Sequence, residues 1–93
     1  MITGQMIERT VTIQNKAGMH TRPASILVKI ASKYKADFYI IKEGFQINGK
    51  SIIGVMSLAA EHGSELILRF DGKDEEAAAE EITKYFQDGF GEP

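Results

Sequence analysis

The chain has 93 residues, 43% of them hydrophobic, and its 11 basic and 13 acidic side chains give a formal net charge of −2. That length leaves room for one domain over residues 1–93 with a modest core, and the charge balance argues against a general nucleic-acid binder, which needs a surplus of Lys and Arg on one face. Cys is absent, which excludes disulfides, thiolate chemistry and Cys-based metal sites.

Ile7, Arg9, Val11 and Ile13 alternate with Glu8, Thr10 and Thr12, the period of a half-buried strand, which Asn15-Lys16-Ala17-Gly18 then breaks. From Thr21 to about Ser32, Ala24, Leu27, Val28 and Ala31 recur at helical spacing, and Pro23 falls in the first turn, where a missing N–H costs little. Phe38 to Ile41 reads as a second strand, and Glu43-Gly44 turns it into a third, Phe45 to Asn48. After the Asn48-Gly49 turn, Ser51 is a favoured N-cap for a short helix running from Ile52 toward Ala60, although Gly54 weakens it. Leu66, Leu68 and Phe70 mark a fourth strand, stopped by Asp71-Gly72. A last helix starts near Asp74 with an acidic first turn and a core stripe of Ala78, Ile82, Tyr85 and Phe86. Gly89 serves as its left-handed cap, with Phe90 folding back toward Tyr85. The order strand, helix, strand, strand, helix, strand, helix predicts an α+β fold: a four-stranded antiparallel sheet covered on one face by three helices.

Of the two histidines, His20 alone has a setting suited to chemistry, at the junction of a loop with the first helix. A helix start leaves up to four N–H groups without intrahelical partners and carries roughly half a positive charge, so it favours an anion. The same field disfavours imidazolium, and a neutral ring keeps the lone pair that attack on phosphorus requires. Arg22 is placed to add a charge-assisted contact to a bound phosphoryl group. The plainer reading is that a lone His at a helix start is a cap or surface residue, and position alone does not choose between the two. His62, in Glu61-His62-Gly63, reads as a solvated turn residue, and two histidines so far apart do not make a metal site.

Charge is unevenly placed. Lys16 to Lys35 contains no Asp or Glu, whereas Asp74, Glu75, Glu76, Glu80 and Glu81 cluster, so one region should attract anions or acidic partners. Ile52, Ile53 and Met56 fall on neighbouring turns of the short helix, where core burial is the default for apolar residues.

Gly18-Met19-His20-Thr21-Arg22-Pro23-Ala24 closely resembles the active-site segment of the histidine-containing phosphocarrier (HPr) family of the bacterial sugar phosphotransferase system. Asn48-Gly49-Lys50-Ser51-Ile52-Ile53-Gly54-Val55-Met56-Ser57-Leu58 resembles that family's second signature, and the resemblance runs from about Met6 to Phe90. It implies an open-faced β-sandwich and a phosphoryl carrier, not an enzyme in its own right. His20 is then phosphorylated by Enzyme I on Nδ1 and donates to EIIA-type proteins, with Arg22 and the backbone of Thr21 and Arg22 steadying the phosphoryl group. Ser51 becomes a regulatory phosphorylation site wherever an HPr kinase/phosphorylase is present, as an alternative to a simple N-cap. Ile52, Ile53 and Met56 become part of a docking patch, ringed by Arg22, Lys29, Lys33 and Lys50. Neither cofactor nor metal is implied, and a monomer is expected.

The closing Gly89-Phe90-Gly91-Glu92-Pro93 is longer than the family's short forms and resembles its nitrogen-branch paralogues, so sugar and nitrogen branches both stay open. A regulatory binding module lacking phosphate turnover would be favoured by loss of the His, which is present. An acylphosphatase-like hydrolase would need an anion-cradling loop with a placed Asn, and no such loop is found. No basic start with a long apolar stretch marks a signal peptide, and no apolar run approaches the ~20 residues that span a bilayer. No membrane insertion and a cytoplasmic location are therefore expected.

Overall fold

In the computed structural model, which describes residues 5–93, strands and helices follow the expected order. They are β1 (Ile7–Thr12), α1 (Thr21–Ser32), β2 (Asp37–Lys42), β3 (Phe45–Asn48), α2 (Ile52–Ser57), β4 (Glu65–Asp71) and α3 (Glu75–Gln87), followed by a single 3₁₀ turn at Gly89–Gly91. The four strands form one antiparallel sheet in the order β1-β4-β2-β3. The strand that comes last in the chain therefore lies between β1 and β2, and the connections through the helices are the crossovers that put it there.

Register decides which side chains meet the helices. Leu66, Leu68 and Phe70 of β4 stand opposite Val11, Arg9 and Ile7 of β1, while Leu68 and Phe70 also face Ile40 and Phe38 of β2. Phe38 and Phe70 stack with ring centroids 4.9 Å apart. Leu27, Val55, Ala78, Ile82 and Phe86 of the helices close the core over them. Each large apolar side chain buried in this way contributes about 1.5–3 kcal/mol relative to exposure. The opposite face of the sheet mixes Tyr39, Ile41 and Ile67 with polar side chains, with Arg69 reaching Glu8 and Gln46 at 2.8 Å each. No helix among the described residues is long and apolar enough to cross a membrane.

One detail differs from the sequence reading, and a second lies outside what it addressed. α2 stops at Ser57 instead of running toward Ala60. Its last amides tighten into i→i+3 bonds, Lys42 Nζ donates to the carbonyls of Leu58 and Ala59, and Ala60 is released to accept from the Met19 amide at 2.8 Å. The end of α2 thereby ties down the loop that carries His20. Asp74 occupies the N-cap position of α3, yet its side chain does not cap that helix. Its two oxygens accept from the amides of Lys35 and Ala36 at 2.8 Å each, satisfying the α1–β2 turn instead. Glu75, in the first turn of α3, is buried and accepts from the amides of Gly72, Gln5 and Met6.

Candidate functional site

His20 is the N-cap residue of α1, in extended backbone geometry, and its side chain makes no capping bond. Following it, the amides of Thr21 and Arg22 have no acceptor among the described residues, Pro23 has no N–H, and the Ala24 amide closes on the His20 carbonyl at 3.0 Å. Pro23 thus cuts the expected row of free donors, leaving those of Thr21 and Arg22 beyond the cap residue. The loop before it is held by Met19 N to Ala60 O and by Asn15 Nδ2 to Gly18 O at 2.8 Å. Gly18 itself has φ of +70°, and a Cβ there would lie 2.7 Å from the Ala60 carbonyl oxygen, so the close approach needs glycine.

The imidazole is 40% exposed, and its Nε2 lies 2.9 and 3.0 Å from the two carboxylate oxygens of Glu92. An ionised carboxylate can only accept, which assigns a ring proton to Nε2; in the neutral form of the ring, Nδ1 is then the lone-pair nitrogen. The bond from His20, with further help from Asn15 Nδ2 at 2.9 Å and the Arg22 charge, holds the Glu92 carboxyl below its ordinary range against the opposing effect of burial. Tyr85 stands close enough to feel both Glu92 and Arg22. Burial first, and then the Glu92 charge, push its hydroxyl upward, and that hydroxyl is buried without a hydrogen-bond partner. Arg22 is exposed and makes no hydrogen bond or ion pair among the described residues, which leaves its guanidinium available.

Glu92 and Asn15 are the members of this cluster that the sequence reading missed. Asn15 offered only a loop signal. Glu92 is 72 positions from His20, and the one hint was the Gly89-Phe90-Gly91 turn that sends the chain back. Gly89 has φ of +62° and Phe90 packs on Tyr85 with centroids 5.1 Å apart, as the cap reading expected.

The family profile described as "PTS HPr component phosphorylation site" matches residues 7–88. The chain belongs to the HPr family of the phosphotransferase system. It is similar to "Phosphocarrier protein HPr" of Treponema pallidum (strain Nichols), with 42% identity over 94% of this chain and 99% of the relative. The "HPr-like protein Crh" of Bacillus subtilis (strain 168) shares 37% identity, covering 89% of this chain and 98% of the relative. The solved HPr-C-His of Thermoanaerobacter tengcongensis superposes with a TM-score of 0.89 at 38% identity, covering 94% of this chain and 98% of that one. HPr relatives are named phosphocarrier proteins, not enzymes.

The second signature of the HPr family falls on α2. Ser51 is its N-cap, with Oγ accepting from the Gly54 amide at 3.2 Å. Ile52, Ile53 and Met56 are not core residues: Ile53 is 80% exposed and the other two 39% each. Val55 alone turns its side chain inward from this helix. Of the expected basic ring, Arg22 and Lys29 are exposed, but Lys33 is paired with Glu81 at 2.8 Å and Lys50 donates to the Tyr34 carbonyl. Those two cations serve intramolecular contacts that the sequence did not reveal. His62 places Nδ1 3.2 Å from the Asn15 carbonyl oxygen, at the back of the His20 loop, and has no contact with His20 itself. No group of metal-ligating side chains occurs among the described residues.

Proposed function

We propose that His20 accepts a phosphoryl group from phospho-Enzyme I and donates it to EIIA-type proteins, coupling phosphoenolpyruvate to sugar uptake and regulation. The observation that carries this reading is a partly exposed imidazole at the N-cap of α1, unused as a cap, beside two amides without acceptors among the described residues. A phosphoryl group on Nδ1 can be met by the amides of Thr21 and Arg22 and by the positive end of the helix. Arg22 adds a charge-assisted contact with no partner to give up among the described residues. Little covalent work is required of the protein, so transfer rests on positioning and electrostatics, without cofactor or metal.

The exposed Ile52, Ile53 and Met56, with Lys29 and Arg22 alongside, form the docking patch for acidic partner surfaces. The carrier is read as a monomeric unit of one domain, acting in the cytoplasm. Ser51 is a regulatory site for an HPr kinase/phosphorylase: a phosphate there would set about −1.5 to −2 charges beside the apolar patch and repel acidic partners. Incubation with phosphoenolpyruvate and Enzyme I tests the reading. An acid-labile phosphate on the wild type, absent from His20→Ala, is expected; no label on either chain refutes it.

A further inference from the structure

We infer that Glu92 is a positioning residue for phosphoryl transfer, holding the His20 ring with its proton on Nε2 and balancing the positive charge the ring gains when Nδ1 is phosphorylated. The inference rests on the phosphocarrier reading above and deepens it. Glu92 lies outside residues 7–88, the stretch the family profile matches, and none of the motifs that identify the chain contains it.

Its placement is built. Glu92 is 12% exposed at its side chain, with both oxygens on His20 Nε2 and one of them also on Asn15 Nδ2. Asn15 is fully buried, so this second contact cannot drift with solvent. The backbone around Glu92 is fixed on both sides. The Glu92 amide donates to the Gly89 carbonyl at 3.0 Å, and the Lys16 amide donates to the Pro93 carbonyl at 2.9 Å. Phe90 is buried against Tyr85 and Phe86, which anchors the whole segment independently of the carboxylate.

The chemistry follows from the proton. As the Nδ1 lone pair forms the new N–P bond, the P–X bond to the donor breaks and its electron pair leaves with the donor atom. No proton leaves His20 in this step, so the ring becomes an N-phosphorylated imidazolium with its proton still on Nε2. A carboxylate already bonded to that proton stabilises the charge as it develops and needs no reorganisation, as an orienting carboxylate does for a catalytic histidine elsewhere. The incoming phosphoryl group binds at the other ring nitrogen, and so does not compete with Glu92 for Nε2.

The test is steady-state phosphorylation by Enzyme I of wild type, Glu92→Leu and Glu92→Gln, with the carrier as varied substrate and ring NMR on the unphosphorylated proteins. Glu92→Leu should lower kcat about tenfold, the low end of what losing a ring-orienting partner costs, with KM unchanged. The exchange-protected Hε2 resonance of His20 should be seen in the wild type and vanish in that variant. Glu92→Gln keeps an acceptor oxygen without the charge and should fall between the two. Since Phe90 remains, both variants should stay folded, with a lower melting temperature from the lost Glu92 bonds, and kcat is compared well below it. An unchanged kcat in Glu92→Leu, or a loss confined to KM, overturns the positioning role while leaving the phosphocarrier reading intact. A wild type that takes no phosphate overturns the phosphocarrier reading itself.

Discussion

Replacing Gly18 by Ala should cost far more than the same change at Gly63, although both glycines have positive φ, +70° and +87°. The backbone term is common to both: a Cβ in the left-handed region costs about 1–2 kcal/mol. At Gly63 a Cβ meets nothing within 4 Å, so that term is the whole expected loss. At Gly18 it would lie 2.7 Å from the Ala60 carbonyl oxygen and 2.9 Å from Glu61 Cα, both backbone atoms that cannot rotate away. Forcing them apart adds about 1–3 kcal/mol of overpacking and strains the Met19–Ala60 bond that ties the His20 loop to the end of α2. The expected totals are about 2–5 kcal/mol for Gly18→Ala and about 1–2 for Gly63→Ala, against a net stability on the order of 5–10. Urea titrations followed by far-ultraviolet circular dichroism give both values, provided the slope with urea is unchanged. Equal losses in the two variants would refute the claim that backbone contact, not φ alone, demands glycine beside the His20 loop.

Arg22→Ala should leave the melting temperature unchanged and slow phosphoryl transfer, since the side chain is exposed and makes no contact to lose among the described residues; unfolding with normal transfer rates would show the role to be structural. Ser51→Asp keeps an acceptor for the Gly54 amide and so the helix cap, while its charge should weaken binding to Enzyme I by calorimetry; unchanged affinity counts against the repulsion account. Ile53→Asp, at the most exposed apolar position of α2, should shift stability by no more than about 0.5 kcal/mol yet weaken the same binding. Glu81 is held below its usual value of 4.5 by the bond from Lys33 first and from Tyr34 second. A depressed acid favours the fold above its unfolded value and loses that contribution as pH falls through the folded one, so stability should decline from pH 4.5 downward, less steeply in Glu81→Gln. Tyr34 has the opposite sign: the same bond, with burial, pushes it up to about 12, so its contribution is full below pH 10 and is lost as pH rises toward 12. Thermal melts across pH, with Tyr34→Phe as the control for the alkaline limb, check both.

Local pattern alone determined much of this molecule. The helix from Thr21 to about Ser32 was readable because a Pro in the first turn and an apolar stripe of Ala24, Leu27 and Ala31 agree with each other. Ser51 declared the start of α2 because a hydroxyl before an apolar run can satisfy a free amide. His20 stood out for the same local reason, a titratable ring at a helix start with Arg22 two residues on.

Tertiary structure decided what depends on distant partners. Asp74 left its own helix to serve Lys35 and Ala36, and α2 ended early because Ala60 was needed by Met19. The outward turn of Ile52, Ile53 and Met56 was settled by which face of a six-residue helix meets the core. Above all, the carboxylate at His20 arrives from 72 positions away, and nothing in the spacing of either residue encodes that meeting. Periodicity and caps report interactions within a few residues, whereas a side chain's partner across the fold is fixed only when the sheet order and the Phe90 anchor bring the two segments together.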